Sequence, residues 1–304
     1  MQSERDFLDW LRPKLTASEA VELGIGDDCA VMRRPAGKVL ITTDALTEGV
    51  DFFLRDAGAR AIGRKAMAVN LSDIAAMGGR PTAALVNLIL PKTFDGVREL
   101  YEGILEVANR YSCPIIGGDT NSWDGGLVVA ITVLGEPIHE PIRRDGAKPG
   151  DLLFVTGPLG GSILGRHLNP IPRLDEVAEI LKFVTPTAMI DISDGLARDV
   201  RNLCRESQCG AMLVSAQIPI HPDAECRAKQ TGKLPLEHAL GDGEDFELLF
   251  TVSPVDAEKF SLKCPHLATR IGSIVESGFW LDERELPDSG WGHSWSTATD
   301  RGCN

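Results

Sequence analysis

No run of apolar residues in the chain reaches the roughly 18 that a membrane span requires, so the sequence predicts no transmembrane helix. The opening residues, Met1-Gln2-Ser3-Glu4-Arg5-Asp6, lack the basic-then-apolar order of a secretory signal, which points to a cytoplasmic protein. Basic charge is short as well. The 31 Lys and Arg stand against 44 Asp and Glu, a net charge of -13, which argues against nucleic acid or an anionic membrane as partner. Seven cysteines are scattered without a CxxC pair, the pattern of reduced thiols and not of a zinc site or a disulfide frame. The six histidines have no metal-ligand spacing. There is no GxSxG nucleophile elbow and no dinucleotide GxGxxG. Gly157-Pro158-Leu159-Gly160-Gly161-Ser162 opens like a phosphate-binding turn but has no Gly-Lys-Ser/Thr ending, so it is not a Walker A. A phosphate turn at a helix start and a plain packing turn both remain open for it.

What the chain does have is acids at the ends of apolar runs. Val39-Leu40-Ile41 reads as a buried strand closed by Thr42-Thr43-Asp44. Asp27-Asp28 follows Gly24-Ile25-Gly26, and Asp73 follows Val69-Asn70-Leu71-Ser72. Pro114–Gly118 leads to Asp119, and Ala188-Met189-Ile190 leads to Asp191, Ser193 and Asp194. An unpaired buried carboxylate is costly, and several brought together repel. Hard divalent cations with oxygen ligands relieve both problems, and Mg2+ with substrate phosphates fits best. The pattern therefore predicts Mg-dependent phosphoryl transfer without a P-loop.

The 304 residues suffice for two domains, and 43% hydrophobic with 25% charged residues is the balance of a globular protein. Strand and helix signals alternate to about residue 137, which indicates an α/β or α+β fold. Expected strands are 37–44, 83–90, 114–118 and 127–134, with helices over 59–77 and 97–111. Ile62, Ala66, Val69 and Met77 form one helical stripe, and Asp73 lies on it. That carboxylate needs a partner: a metal, an internal ion pair or a cap. Arg143–Asp151 is polar with Pro and Gly, and marks a junction between domains 1–140 and 141–304. Beyond it come strands at 152–156, 188–192 and 211–214, then 269–274 and 279–281. Ser193 is the expected N-cap of a helix with Leu196, Val200 and Leu203 inward. Arg144 could hold a phosphate or be a surface residue. Trp291 and Trp295 in the tail either pack on a groove or form a lid over substrate.

Taken together, these stretches resemble the thiamine-monophosphate kinase family, in the superfamily named for aminoimidazole ribonucleotide synthetase. The resemblance rests on Gly24-Ile25-Gly26-Asp27-Asp28, Thr42-Thr43-Asp44, Asn70-Leu71-Ser72-Asp73, Gly117-Gly118-Asp119-Thr120, Asp191-Ile192-Ser193-Asp194-Gly195-Leu196 and Gly243-Glu244-Asp245-Phe246-Glu247-Leu248. These run in family order over nearly the whole chain. The resemblance implies ATP-dependent phosphorylation of thiamine monophosphate by direct in-line transfer with several Mg2+ ions. It implies an N-terminal α/β domain that dimerises through its sheet, a C-terminal α/β domain, and ATP in the cleft between them. Asp28, Thr42, Thr43, Asp44, Asp73, Asp119, Asp191 and Asp194 would carry metal. Gly118, Asp119, Arg144 and Ser193 would meet ATP, and Glu244 and Trp295 the thiamine part. Asp51 stands where the family usually has a histidine against the acceptor, so it is assigned there too. Asp242 and Phe246 depart from the usual glycine and tyrosine.

Overall fold

The computed structural model describes residues 21–23, 27–28, 30–34 and 37–292. In chain order these form β1 (Val21–Leu23), β2 (Ala30–Arg34), β3 (Gly37–Thr47), α1 (Leu54–Ala57), α2 (Ala59–Ala76), β4 (Gly79–Pro91), α3 (Val97–Arg110), β5 (Ile115–Trp123) and β6 (Val128–Pro137). Then follow β7 (Leu152–Val155), α4 (Leu174–Ile180), β8 (Ala188–Asp191), α5 (Leu196–Ser207), β9 (Gly210–Leu213), α6 (Pro222–Thr231) and α7 (Pro235–Gly241). The last are β10 (Leu248–Val252), α8 (Pro254–Lys263), β11 (Thr269–Val275), β12 (Phe279–Leu281) and β13 (Arg284–Glu285).

The first half is a six-stranded sheet in the order β1-β2-β3-β6-β4-β5, antiparallel except for the β4–β5 pair. Alternation sets its two faces. Val129, Ile131 and Val133 of β6 are buried beneath α2, while Val128, Ala130, Thr132 and Leu134 are half-buried on the opposite face, which no described helix covers. Helix α2 is buried almost all round, as its alanine-rich sequence requires, because no side of it is left for water. It packs against α3 at the distance two glycines permit. A Cβ on Gly63 would lie 2.0 Å from the Leu100 carbonyl, and one on Gly103 would lie 2.0 Å from that of Arg60.

The second half is a seven-stranded sheet in the order β13-β12-β9-β11-β7-β10-β8, antiparallel except for β12 with β9. Leu196, Val200 and Leu203 of α5 are buried, as their spacing predicts. One hydrophobic core crosses between the halves, running from Leu40 and Ile74 to Met189 and Phe260; a second fills the far side of the C-terminal sheet. The five described cysteines are free thiols.

Three local expectations need correction, and one reading left open is resolved. Thr42-Thr43-Asp44 lies inside a strand that runs on to Thr47, not at its end, because Ala45 and Leu46 continue the pairing with β6. Asp119 sits within β5 and does not follow it, since pairing with β4 continues to Trp123. Ser193 does not cap α5: Gly195 occupies the N-cap, and the Asp199 carboxylate accepts the Asp194 and Gly195 amides instead. The turn after β7 opens only three-residue 3-10 segments. Its amides at Gly160 and Gly161 are taken by Asp245 and Asp242, so it is a packing turn.

Candidate active site

A cleft of about 660 Å³ separates the two halves. Four separate elements deliver acids to its floor. Asp27 and Asp28 come from the segment between β1 and β2, Asp44 from β3, Asp73 from α2, and Asp191 from the end of β8. Carboxylate oxygens of Asp28, Asp73 and Asp191 lie within 4.8 Å of one another. Thr42 and Asp44 share one face of β3, and the Thr42 hydroxyl donates to Asp73. Neighbours fix the rest. Ser72 Oγ donates to Asp191 Oδ2 at 2.7 Å, and Asn70 Oδ1 accepts the Asp44 amide at 3.0 Å. Both come from α2, so this one helix supplies an acid and holds two others.

The charges are poorly balanced. Burial pushes the Asp73 carboxyl well above the usual carboxylate range, and Asp44, Asp191 and Asp28 push it further. Asp191 is raised by burial and by Asp28, against the Ser72 hydroxyl and Arg144. Asp27 is raised to about 7 by burial and Asp28. Arg144 is the cation that answers this group. It donates through Nε and a terminal nitrogen to both oxygens of Asp28, and its amide donates to Asp27 at 2.7 Å. Such a crowd of oxygens suits hard divalent cations. The donors are all oxygens, they converge, and their mutual repulsion holds protons that a metal would replace.

Another part of the cleft lining is built differently. Glu244, at φ 53, stands in the turn before β10, where its amide donates to the Ser193 carbonyl at 2.7 Å. Its carboxylate meets the ammonium of Lys65, which is fully buried, at 2.5 Å. Asp51 folds its own carboxylate back onto the Thr47 amide at 2.7 Å. Phe246, Arg227, Asp242 and Trp291 also line the cleft.

Of the residues singled out from sequence, Asp28, Thr42, Thr43, Asp44, Asp51, Asp73, Arg144, Asp191, Ser193, Asp194 and Glu244 line the cleft. Gly118 and Asp119 do not. They are exposed on the edge strand β5, and the pairing Asp119–Asn87–Ala130–Ala45 puts Asp119 three strands, roughly 14 Å, from the β3 acids. Gly118 has a packing reason to be glycine, since a Cβ there would lie 1.8 Å from the Val86 carbonyl. Trp295 lies outside the described residues, while Trp291 lines the cleft. Sequence reasoning passed over Lys65 and the positioning roles of Asn70 and Ser72. Lys65 carried a signal: it falls three residues after Ile62 and four before Val69, on the apolar stripe.

Residues 26–136 match the family model described as AIR synthase related protein, N-terminal domain. The thiamine-monophosphate kinase of Rhodopirellula baltica is 44% identical over 291 residues, 91% of this chain and 91% of that one. The thiamine-monophosphate kinase of Bacillus subtilis is 35% identical over 302 residues, 90% of this chain and 91% of that one. Among solved structures, AaThiL complexed with AMPPCP and TMP superposes with a TM-score of 0.85 at 33% identity, covering 96% of this chain and 97% of that one.

Proposed function

Because the chain belongs to the thiamine-monophosphate kinase family, we propose that its cleft catalyses ATP-dependent phosphorylation of thiamine monophosphate to thiamine diphosphate. The observation that carries this reading is the convergence of Asp28, Asp73 and Asp191 within 4.8 Å at the floor of the cleft. Asp28, Thr42, Asp44, Asp73, Asp191 and Asp194 are the residues that would hold Mg2+, and Thr43, whose hydroxyl bonds the Ile131 carbonyl and Thr132 on the other sheet face, would join them through its backbone. Bound there, Mg2+ supplies the positive charge that lets two anionic phosphates approach.

An oxygen of the acceptor phosphate attacks the γ-phosphorus of ATP, the bond from that phosphorus to the β–γ bridging oxygen breaks, and ADP leaves. The attacking oxygen is already anionic at neutral pH, so no strong base is required, and alignment becomes the protein's main task. Among the described residues, no histidine or lysine lines the cleft beside these acids, which agrees with that. Arg144 and Ser193 face the nucleotide phosphates, and Arg144 exchanges its carboxylate partners for them. Glu244, Asp51 and Trp291 receive the thiamine part, with the indole offering a flat apolar surface to an aromatic ring.

The working unit is a homodimer closed over the face of the N-terminal sheet that no described helix covers. Ile41, Leu85 and Ile89 lie on that face with Thr43, and so does Asp119. A second copy seated there buries these apolar groups and brings its own β5 toward the cleft, the route by which Asp119 and Gly118 join the site. A cytoplasmic location completes the reading; no described helix is long and apolar enough to cross a membrane. The test is a coupled assay of ADP release with ATP, Mg2+ and a panel of phosphorylated acceptors. ADP release that requires thiamine monophosphate is the expected result. Release at the same rate without it, or with every acceptor alike, refutes the assignment.

A further inference from the structure

Lys65 is fully buried on α2, yet none of the steps above employs it. Its ammonium donates to the Asp51 carbonyl at 2.8 Å and pairs with Glu244 Oε1 at 2.5 Å. These two partners come from opposite halves of the chain and both line the cleft. Burying a lysine side chain completely is costly unless it is paired, so the contact is a built feature of the site and not a surface accident. Glu244 keeps 32% of its side chain exposed while Lys65 keeps none, so the pair approaches the cleft from one side only, with the lysine behind the carboxylate. The turn that carries Glu244 is in a sparsely populated backbone region at φ 53, which persists only where neighbours hold it. His167 faces the same pair. Burial lowers its pKa, opposed by its bond to the Ser162 carbonyl and by the Glu244 carboxylate, with a smaller lowering from Lys65.

Lys65 also shares a helix face with Ser72, two turns on, which orients Asp191. One face of α2 thus reaches two separate carboxylates of the cleft lining. We propose that Lys65 is a positioning residue for the acceptor: by clamping the Asp51 turn to Glu244 it sets the carboxylate that meets the thiamine part, and so determines affinity for thiamine monophosphate without touching it. The inference rests on the reading that Glu244 binds the acceptor.

Steady-state kinetics of the full chain test it with Lys65→Met, Glu244→Gln and the double variant. Lys65→Met is expected to raise KM for thiamine monophosphate by about tenfold or more, with KM for ATP unchanged. The double variant is expected to match Glu244→Gln alone, because the lysine acts through that carboxylate. Lys65→Gln, which keeps a donor for the Asp51 carbonyl, is expected to shift the same constant if Lys65→Met does not fold. Equal shifts in both KM values, or additive effects in the double variant, would show a merely structural lysine and overturn the inference. Glu244→Gln without effect on the acceptor KM would instead remove the underlying reading, a result distinct from an active Glu244 with a silent Lys65.

Discussion

Two buried acid groups in this molecule are solved in opposite ways. In the C-terminal half, Glu247 is 2% exposed and is matched completely: two nitrogens of Arg173 donate to it, and the Thr156 hydroxyl adds a bond of 2.6 Å. At the cleft floor, Asp28, Asp73 and Asp191 crowd together, and Arg144 is shared among Asp27, Asp28 and Asp191. The first arrangement is a finished ion pair whose geometry needs nothing more. The second is electrostatically incomplete as a protein alone, and that incompleteness marks it as the place for a ligand. A count of buried acids would rank the two alike; their partners tell them apart.

Breaking the finished pair gives the largest loss of stability. Glu247→Gln leaves Arg173 with Glu176 as its remaining charged partner and is expected to cost about 1–3 kcal/mol in a urea titration, because buried charge-assisted hydrogen bonds are lost. Its effect on the KM values of folded enzyme is expected to be small, since Glu247 does not line the cleft. Asp73→Asn acts the other way. It is expected to lower turnover by on the order of 100- to 1000-fold, the usual range for losing one source of transition-state charge stabilisation. In metal-free protein it is expected to raise the melting temperature, since the cost of burying an ionisable acid among other acids has been removed. A fall in both would place Asp73 with Glu247 as a structural acid.

The smallest effect is on pH dependence, and it sharpens the contrast further. Asp27, Asp73 and Asp191 have folded-state pKa values raised above the unfolded value, so the folded protein holds more protons than the unfolded one as pH rises from about 4. Metal-free stability is therefore expected to fall with rising pH from about 4 through the value near 7 of Asp27. Mg2+ binds the deprotonated acids, so its stabilisation is expected to grow over the same window. Melting curves at pH 5 and pH 8, with and without Mg2+, read both trends; a Mg2+ shift equal at the two values would contradict this account.

Much of this was legible before any coordinates. The alternating strand and helix signals, the inner stripe of α5, and Asp73 as the odd residue on an apolar stripe all follow from local periodicity, and local periodicity survives folding. The same holds for Asp191 at the end of an apolar run, where burial alone makes a carboxylate conspicuous. Lys65 escaped because its meaning depends on Glu244, 179 positions away in the sequence, and no local pattern announces such a pairing. Ser193 was misread for a related reason. It has the chemistry of a cap, but Asp199 one turn into the helix supplied the acceptor. The edge position of β5 was equally invisible, because strand order is a property of the whole sheet.

The unbroken core between the halves has a practical corollary. Leu40, Ile74, Met189 and Phe260 belong to one apolar cluster, so severing the chain near residue 140 would leave each fragment with a raw oily flank. Chimeras that exchange one half between relatives must therefore transplant the matching contact residues of α2 as well, and grafting at the junction loop alone would assemble parts that do not fit.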